Sequence, residues 1–252
     1  MAVPSNVVFE VDTEFGHYQV VDTIYEGRAA RVLYSGGTTS RTAQSGVARD
    51  DNPDLLFDYN QRFLELLESV AAKRLLLIGG GTYTLPMALL QKFPGLQIDV
   101  AELDPGLQDV AERFFGLKTS PRLNIIHSDG RQYLEQNTLA YDVILVDAFM
   151  DAAIPESLSG PGVVKQVYKN LSSTGVAAMN IISPYFGSGA GIIQGQIASY
   201  RQHFKAVDVY PAGRATFSLW LPQNLVLVAQ KGKTHEINLR YGKLPDIKSD
   251  KL

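Results

Sequence analysis

The fold class of this chain is decided by residues 74–105, RLLLIGGGTYTLPMALLQKFPGLQIDVAELDP. An apolar run at 75–78 predicts a strand that enters three glycines, Gly79, Gly80 and Gly81. A helix-like segment follows, and a second apolar strand at 98–101 ends in Glu102. This order is typical of a βαβ unit that binds a nucleoside, because glycines admit the ligand to the backbone and the acid accepts hydrogen bonds from both ribose hydroxyls.

The glycine run does not complete the dinucleotide pattern G-x-G-x-x-G, because Thr82, Tyr83 and Thr84 follow Gly81. The pattern therefore disfavours a nicotinamide dinucleotide as the ligand. A second interpretation is that the glycines only turn the chain from strand to helix. Three consecutive glycines carry a large entropy cost, which weakens that interpretation.

Composition excludes several classes of protein. The chain has 252 residues, 45% of them hydrophobic, which is enough for one sizeable core. A net charge of -3 offers no basic surface to nucleic acid or to an anionic membrane. With no cysteine and four scattered histidines, we expect neither disulfides nor a metal site. We find no signal peptide or membrane span and expect a cytoplasmic protein.

The chain divides by pattern into three parts. Residues 1–50 carry short β-prone runs separated by turn residues and predict a small β domain. Residues 51–232 predict a nucleoside-binding domain, in which a helix at 54–72 leads into alternating strands and helices. Such alternation predicts a parallel sheet covered by helices on both faces. Residues 233–252 are polar and predict a surface tail.

Four consecutive predicted strands each deliver a glycine or an acid to the same edge of that sheet. The glycine turn follows the first strand, and Glu102, Asp129 and Asp147 follow the next three. Ligands bind beyond the carboxyl ends of such strands, so we expect these residues to share one site. Asp147 could instead cap the following loop, and Asp129 could be an ordinary turn residue before Gly130.

The motifs along the chain resemble those of the polyamine aminopropyltransferases, the spermidine synthase family. The resemblance covers nearly all of residues 14–230 and rests on the segments GHYQVV, LLFDYNQ, LLLIGGG, AELDP, HSDGRQYL, YDVILVDAF, ESL and VYPAGRATF. It implies a Rossmann-like methyltransferase fold with a seven-stranded sheet behind a small N-terminal β domain. It also implies a homodimer that transfers an aminopropyl group from decarboxylated S-adenosylmethionine to putrescine or a related polyamine.

The resemblance implies a role for each matching position. The implied contacts of the nucleoside donor are Gln19, Gln44, Gly79, Gly80, Gly81, Glu102, Asp129 and Gly130. The implied contacts of the amine acceptor are Tyr59, Asp151 and Tyr210. Asp147 is implied to be the base that takes a proton from the attacking amine, because amines are protonated at neutral pH.

Two departures from the family pattern concern anchors for cationic groups. Thr82 stands where the family's GGGDGG motif has an aspartate, and Met150 stands where its D-[ST]-[ST]-D-P loop has a second aspartate. Asp151, one position later, is expected to compensate from a shifted loop. The chain in these segments resembles the divergent spermidine synthase-like proteins.

The departures leave two alternatives open. One is methyl transfer from S-adenosylmethionine, with Arg131 or Arg214 pairing with the methionine carboxylate. The other is a binding module that keeps the nucleoside pocket without turnover. Tyr83 and Phe149 stand where small or polar residues are expected, so they either narrow the pocket, stack on an acceptor or only pack in the core.

Overall fold

The computed structural model describes residues 6–37, 40–51, 55–148, 156–213, 219–232 and 235–246. Within them, the N-terminal part forms a four-stranded antiparallel sheet in the order β1-β2-β3-β4. Its strands are β1 (Asn6–Asp12), β2 (His17–Tyr25), β3 (Arg28–Gly37) and β4 (Ser40–Ala48). The prediction of an N-terminal β region is confirmed.

The remaining strands form a seven-stranded sheet in the order β10-β11-β9-β8-β5-β6-β7. The strands are β5 (Arg74–Ile78), β6 (Gln97–Glu102), β7 (Leu123–His127), β8 (Tyr141–Val146), β9 (Leu171–Ser183), β10 (Ala206–Pro211) and β11 (Gln223–Gln230). The helices are α1 (Asp58–Ser69), α2 (Thr84–Lys92), α3 (Gly106–Phe114), α4 (Gly130–Gln136), α5 (Pro161–Asn170) and α6 (Gly191–Arg201). The seven-stranded α/β sheet is therefore confirmed.

The expectation of a wholly parallel sheet is wrong at β11. Strands β5 to β9 pair in parallel, whereas β11 runs antiparallel to both β9 and β10. The connection from β10 to β11 has no helix in its described residues, and an antiparallel pair needs no crossover helix. The last two strands thus form a hairpin whose second strand enters the sheet beside β9.

Both faces of the seven-stranded sheet are buried, which explains its continuous apolar strands. In β5, Leu75 and Leu77 belong to one hydrophobic cluster, while Leu76 and Ile78 belong to another. Successive side chains of a strand point to opposite faces, so a strand covered on both sides is apolar at every position. No helix in the described part of the chain is long and apolar enough to cross a membrane.

Residues 235–246 of the predicted surface tail are mostly exposed, but they are docked on the rest of the protein at a few points. Leu239 is buried in the same hydrophobic cluster as the apolar face of α1. The Arg240 backbone N–H donates to Glu65 of α1 at 2.9 Å, and the Tyr185 hydroxyl donates to the Pro245 carbonyl at 2.6 Å. Isolated apolar residues in a polar segment are enough to dock it, because each buried side chain removes apolar surface from water.

Candidate active site

The predicted sheet edge lines one cavity of about 370 Å³. The glycine turn after β5, Glu102 at the end of β6, Asp129 after β7 and Asp147 after β8 all face it. The first sheet supplies the opposite wall through the turn between β1 and β2 and through β4. The structure therefore brings together in one site the residues that the strand ends were predicted to deliver.

The glycine turn is sterically required where β5 meets the chain after β8. Gly79 has φ +93°, and a Cβ there would lie 2.2 Å from the carbonyl oxygen of Asp147. A Cβ on Gly80 would lie 2.7 Å from the ring of Tyr83. No larger residue fits either position without moving the backbone or the buried ring beside it. The turn redirects the chain and also holds Asp147 against the cavity.

Glu102 is tied to the backbone of the glycine turn. One carboxylate oxygen accepts from the N–H groups of Gly80 at 2.6 Å and Gly81 at 3.2 Å, and the other accepts from Asp104 N–H at 2.9 Å. Burial raises the pKa of Glu102, and these backbone hydrogen bonds oppose the rise. A carboxylate offers about four acceptor positions, so one remains for a ribose hydroxyl after three backbone bonds.

Asp129 both caps a helix and lines the cavity. Its carboxylate accepts from the Gln132 N–H at 2.9 Å, which caps α4, and from the Ser157 hydroxyl at 3.2 Å. The next residue, Gly130, packs so closely on Ile78 that a Cβ would lie 2.3 Å from its methyl group. The turn interpretation and the ligand interpretation of Asp129 are therefore compatible.

The first sheet forms the roof of the cavity and is held to the second sheet by hydroxyl groups. The Thr13 hydroxyl donates to Asp104 at 2.6 Å, which fixes the turn that places Phe15 at the cavity. The hydroxyls of Ser45 and Thr82 lie 2.6 Å apart and are buried. Thr82, which replaces the family's aspartate, thus binds the roof rather than facing the cavity.

The two glutamines implied for the nucleoside side lie in different places. Gln44 lines the cavity, and its amide donates to the Ser35 hydroxyl at 2.7 Å. Gln19 is buried, is not among the lining residues, and donates to Glu10 at 2.7 Å. Glu10 also contacts His17, which does line the cavity. Gln19 therefore supports the wall from behind.

Asp147 sits at the centre of a hydrogen-bonded network of side chains. It accepts from the Tyr59 hydroxyl of α1 and, at 3.1 Å, from the amide of Asn180 in β9. Asn224 of β11 donates in turn to the Asn180 carbonyl oxygen at 3.0 Å. Burial raises the pKa of Asp147 to about 6, while the bonds from Asn180 and Tyr59 oppose the rise.

Sequence reasoning missed three asparagines at this site. Asn180 contacts Asp147 and Asn224 contacts Asn180, as described, and Asn60 lines the cavity with only 4% of its surface exposed. The Asn60 side-chain oxygen has no hydrogen-bond partner within the described chain, so a ligand N–H could satisfy it. A polar residue inside the apolar strand GVAAMNIIS was the available signal for Asn180.

Several other candidates lie away from the cavity or outside the described residues. Tyr83 is buried under Gly80 and does not line the cavity, so it packs rather than narrows the pocket. Tyr210 is buried, and its hydroxyl donates to the Ile237 carbonyl at 3.4 Å. Arg131 is exposed and pairs with Glu135 at 2.9 Å. The residues outside the described part are Phe149, Met150, Asp151 and Arg214.

The charge of the cavity wall is mostly negative. Its ionisable lining residues are Glu102, Asp104, Asp129, Asp147 and His17, and no described lysine or arginine lines it. His17 lies between the carboxylates of Asp12 at 2.7 Å and Glu10 at 2.9 Å, and the hydrogen bond to Asp12 raises its pKa. No group of three or more metal-binding side chains occurs among the described residues. The wall suits a cationic ligand.

No protein-family model matches the chain, but comparison with known proteins identifies similar sequences. The chain is 35% identical over 121 residues to a polyamine aminopropyltransferase of Vibrio vulnificus, covering 47% of this chain and 40% of that protein. It is 30% identical over 183 residues to a polyamine aminopropyltransferase of Alkalilimnicola ehrlichii, covering 69% and 59%. The chain is thus similar in sequence to polyamine aminopropyltransferases. It spans less than two thirds of the length of either relative.

Methyltransferases are also related. A human eEF1A lysine and N-terminal methyltransferase is 29% identical over 163 residues, which cover 60% of this chain and 22% of that protein. The chain therefore has relatives named as aminopropyltransferases and relatives named as methyltransferases.

Solved structures share the fold. A probable spermidine synthase from Corynebacterium glutamicum superimposes with a TM-score of 0.74 at 19% identity, covering 89% of this chain and 80% of that one. Human methyltransferase-like protein 13 in complex with SAH gives a TM-score of 0.56 at 22% identity, covering 74% and 82%. A spermidine synthase in complex with the transition-state analogue AdoDATO gives 0.66 at 17% identity, covering 90% and 74%. At these identities the likeness shows the methyltransferase fold.

Proposed function

We propose that the protein transfers an aminopropyl group from decarboxylated S-adenosylmethionine to the amine of putrescine or a related polyamine. The observation that carries the proposal is one cavity that holds the glycine turn and Glu102 and that is lined by four carboxylates in all. The donor carries a sulfonium and an ammonium group, and the acceptor is also a polycation. Both reactants therefore carry charge opposite to that of the wall, and neither brings a carboxylate that would need a lysine or arginine.

The nucleoside half of the proposed site is the edge formed by β5, β6 and β7. We propose that Gly79, Gly80 and Gly81 pass the backbone close to the nucleoside and that Glu102 accepts from its ribose. Asp129 and Gly130, which line the cavity, are proposed to contact the adenine, and Gln44 lines the cavity from the roof. Gln19 contributes through Glu10 and His17 rather than by contact. The fit is supported by the glycine cradle, which a Cβ at Gly79 or Gly80 would fill.

The acceptor half is the side of the cavity formed by α1 and the end of β8. Asp147 holds the ammonium form of the acceptor and takes its proton as the nitrogen lone pair forms a bond to carbon. That carbon lies next to the sulfonium sulfur of the donor, its bond to sulfur breaks, and neutral methylthioadenosine leaves. Tyr59 does not line the cavity and acts by holding the Asp147 carboxylate, while the unpartnered oxygen of Asn60 orients the acceptor beside it.

Asp151 and Tyr210 remain proposals that rest on the family resemblance. Tyr210 lies near the carboxyl end of β10, the same edge of the sheet as Asp147, but its hydroxyl is bonded to Ile237. Its hydroxyl oxygen can still accept from an acceptor N–H, although Tyr210 does not line the described cavity. Asp151 is proposed as the second anchor for a cationic group, in place of the aspartate that Met150 replaces.

A second candidate function is methyl transfer from S-adenosylmethionine. It is favoured by the eEF1A lysine and N-terminal methyltransferase relatives. The described cavity wall argues against it, because the methionine carboxylate would face four carboxylates and no described lysine or arginine. Arg131, one of the two expected partners of that carboxylate, is exposed and already paired with Glu135.

We also propose, from the family resemblance, that the protein acts as a homodimer in the cytoplasm without a metal. Light scattering of the purified chain at micromolar concentration tests the assembly. A mass of 27.6 kDa, that of one chain, would contradict the dimer. Unchanged turnover after treatment with EDTA is expected for a reaction that needs no metal.

Mass spectrometry of reaction mixtures tests the main proposal. The purified protein is incubated with a set of polyamines, once with decarboxylated S-adenosylmethionine and once with S-adenosylmethionine. Methylthioadenosine together with a lengthened polyamine is the expected result. S-adenosylhomocysteine with a methylated amine would transfer the assignment to the second candidate. Bound nucleoside without any product would contradict both and indicate a binding module.

A further inference from the structure

A chain of two asparagines connects Asp147 to the last strand of the sheet. Asn180 in β9 donates its amide N–H to the Asp147 carboxylate at 3.1 Å, and Asn224 in β11 donates to the Asn180 oxygen at 3.0 Å. Asn180 is only 2% exposed in a strand whose neighbouring residues are apolar. A buried amide in such a strand costs free energy unless it is hydrogen-bonded, so the pair of bonds stabilises one arrangement.

The second bond decides which way the Asn180 amide points. An asparagine side chain has an oxygen that accepts and a nitrogen that donates, and rotation by 180° exchanges them. Asn224 presents an N–H to the oxygen of Asn180, which keeps the nitrogen of Asn180 directed at Asp147. In the flipped state, the Asn180 oxygen would face a carboxylate and two N–H groups would face each other. Asn224 thus acts on Asp147 without touching it.

We infer that Asn180 and Asn224 are positioning residues that hold the Asp147 carboxylate in one orientation and in its charged form for the proposed reaction. This inference deepens the proposed function, and its role in turnover rests on that function. The geometric part does not rest on it, because it concerns the ionisation of Asp147 in the protein without ligand. An N–H bond to a carboxylate stabilises the charged form and so lowers the pKa.

Other ionisable groups contact Asp147 or line the same cavity, and all of them are unchanged in the variants that test the inference. Tyr59 of α1 donates to the carboxylate directly. Glu102, Asp104 and Asp129 line the same cavity from the seven-stranded sheet side, and His17 lines it from the roof. Because these groups are the same in the wild type and the variants, a change in the pKa of Asp147 measures the effect of losing the hydrogen bonds made by Asn180 and Asn224.

The test is a direct titration of Asp147 by the carbon-13 NMR shift of its carboxyl group in the ligand-free protein. The resonance is assigned from its loss in Asp147→Asn. In Asn180→Ala the pKa is expected to rise by about 1 unit, because one donor to the carboxylate is lost. In Asn224→Ala the expected rise is smaller, since Asn180 keeps its place but loses its fixed orientation. Asn180→Asp should give the largest rise, because it puts a second carboxylate beside Asp147.

The chain offers a matched control at a distance from the cavity. Asn124 in β7 donates to Asp99 at 3.0 Å, a pair of the same kind that does not line the site. Asn124→Ala is expected to leave the pKa of Asp147 unchanged. A pKa of Asp147 that is the same in Asn180→Ala as in the wild type would overturn the inference. Asn224→Ala, at a less buried position, keeps the test open if Asn180→Ala does not fold.

The role in turnover has a separate readout. If aminopropyl transfer is found, the acidic limb of the kcat/KM profile should move to higher pH in Asn180→Ala, in step with the NMR pKa. Asn224→Ala should move it in the same direction by less. An unmoved profile with a moved NMR pKa would overturn the role in turnover. Absence of any transfer would count against the proposed function alone, because the titration needs no activity.

Discussion

The two halves of the cavity are built in different ways. On the nucleoside side, the bonds of Glu102 and the capping bond of Asp129 come from backbone N–H groups. On the acceptor side, Asp147 is held by side chains, Tyr59 and Asn180, and Asn60 keeps an oxygen without a described partner. Backbone donors persist whatever residues carry them, whereas side-chain donors disappear with a single substitution. The nucleoside half therefore depends on the course of the backbone and on its glycines, and the acceptor half is where a single side-chain substitution can change specificity.

The largest expected effect is on kcat, and it is expected for substitution of Asp147, the proposed base of the acceptor half. Asp147→Asn should lower kcat by about 10²- to 10⁴-fold, the range typical of a lost general base. Nucleoside affinity should stay within about threefold, because Asp147 belongs to the acceptor half of the cavity and the proposed nucleoside contacts are unchanged. Stopped assays with both substrates and calorimetric titration of methylthioadenosine measure the two quantities. Asp109→Asn, at an exposed position of α3, is the control. Retained turnover in Asp147→Asn would remove Asp147 from its role as base.

A large effect on stability is expected where the two halves touch. Gly79→Ala puts a methyl group 2.2 Å from the Asp147 carbonyl oxygen at a φ of +93°. We expect a loss of about 3 kcal/mol in the free energy of unfolding, from backbone strain and displacement of the chain after β8. Urea denaturation measures it. Gly95→Ala is the matched control, because nothing lies within 4 Å of a Cβ there and the residue is exposed. Equal stabilities of the two variants would contradict the steric argument.

The nucleoside half is tested at its acid. Glu102→Gln leaves one amide oxygen and one N–H₂ group opposite the N–H groups of Gly80 and Asp104. An unpaired buried donor costs about 1–3 kcal/mol, so the stability should fall by that amount and nucleoside affinity by roughly tenfold. Chemical denaturation and calorimetric titration provide the two values. Glu112→Gln, on exposed α3 surface, should change neither. If the affinity stayed at its wild-type value, Glu102 would not be a ribose contact.

A smaller effect is expected in the dependence of stability on pH. The pKa of Asp147 is about 6 in the folded protein and 3.8 in a model peptide, so the folded state binds more protons between these values. The free energy of unfolding of the wild type should therefore fall as pH rises from about 4 to about 6. Asp147→Asn removes this term and should gain about 2 kcal/mol over the wild type at pH 7, with little gain at pH 4. Urea midpoints at both values measure the difference, and a gain independent of pH would contradict the pKa.

The sequence was sufficient to predict those parts of the fold and of the site that depend on local sequence pattern. The apolar strands, the glycine turn and the acids at strand ends follow from periodicity and from the rule that parallel strands present their carboxyl ends at one edge. The segment YDVILV at 141–146 predicts a buried strand from its four consecutive apolar residues before Asp147, and β8 has these bounds.

The sequence was insufficient where a side chain's direction depends on distant neighbours. Tyr83 packs under Gly80 because it adopts a positive φ of 57°, which no local pattern indicates for a tyrosine. Gln19 of β2 is buried away from the cavity whereas Gln44 of β4 lines it, and no local pattern distinguishes the two. The hydrogen bond from Asn224 to Asn180 depends on β11 lying beside β9. The two residues are more than forty positions apart in the sequence, and the periodicity of the sequence does not predict which strands pair.

The strand order has a consequence for synthesis of the protein on the ribosome. The last strand along the chain, β11, lies between β9 and β10 and carries Asn224. A nascent chain that has emerged only as far as α6 holds every residue of the nucleoside half. It lacks the strand that orients Asn180 toward Asp147. The binding half can thus assemble during translation, whereas the reacting half is completed only when the C-terminal hairpin threads into a sheet that already exists.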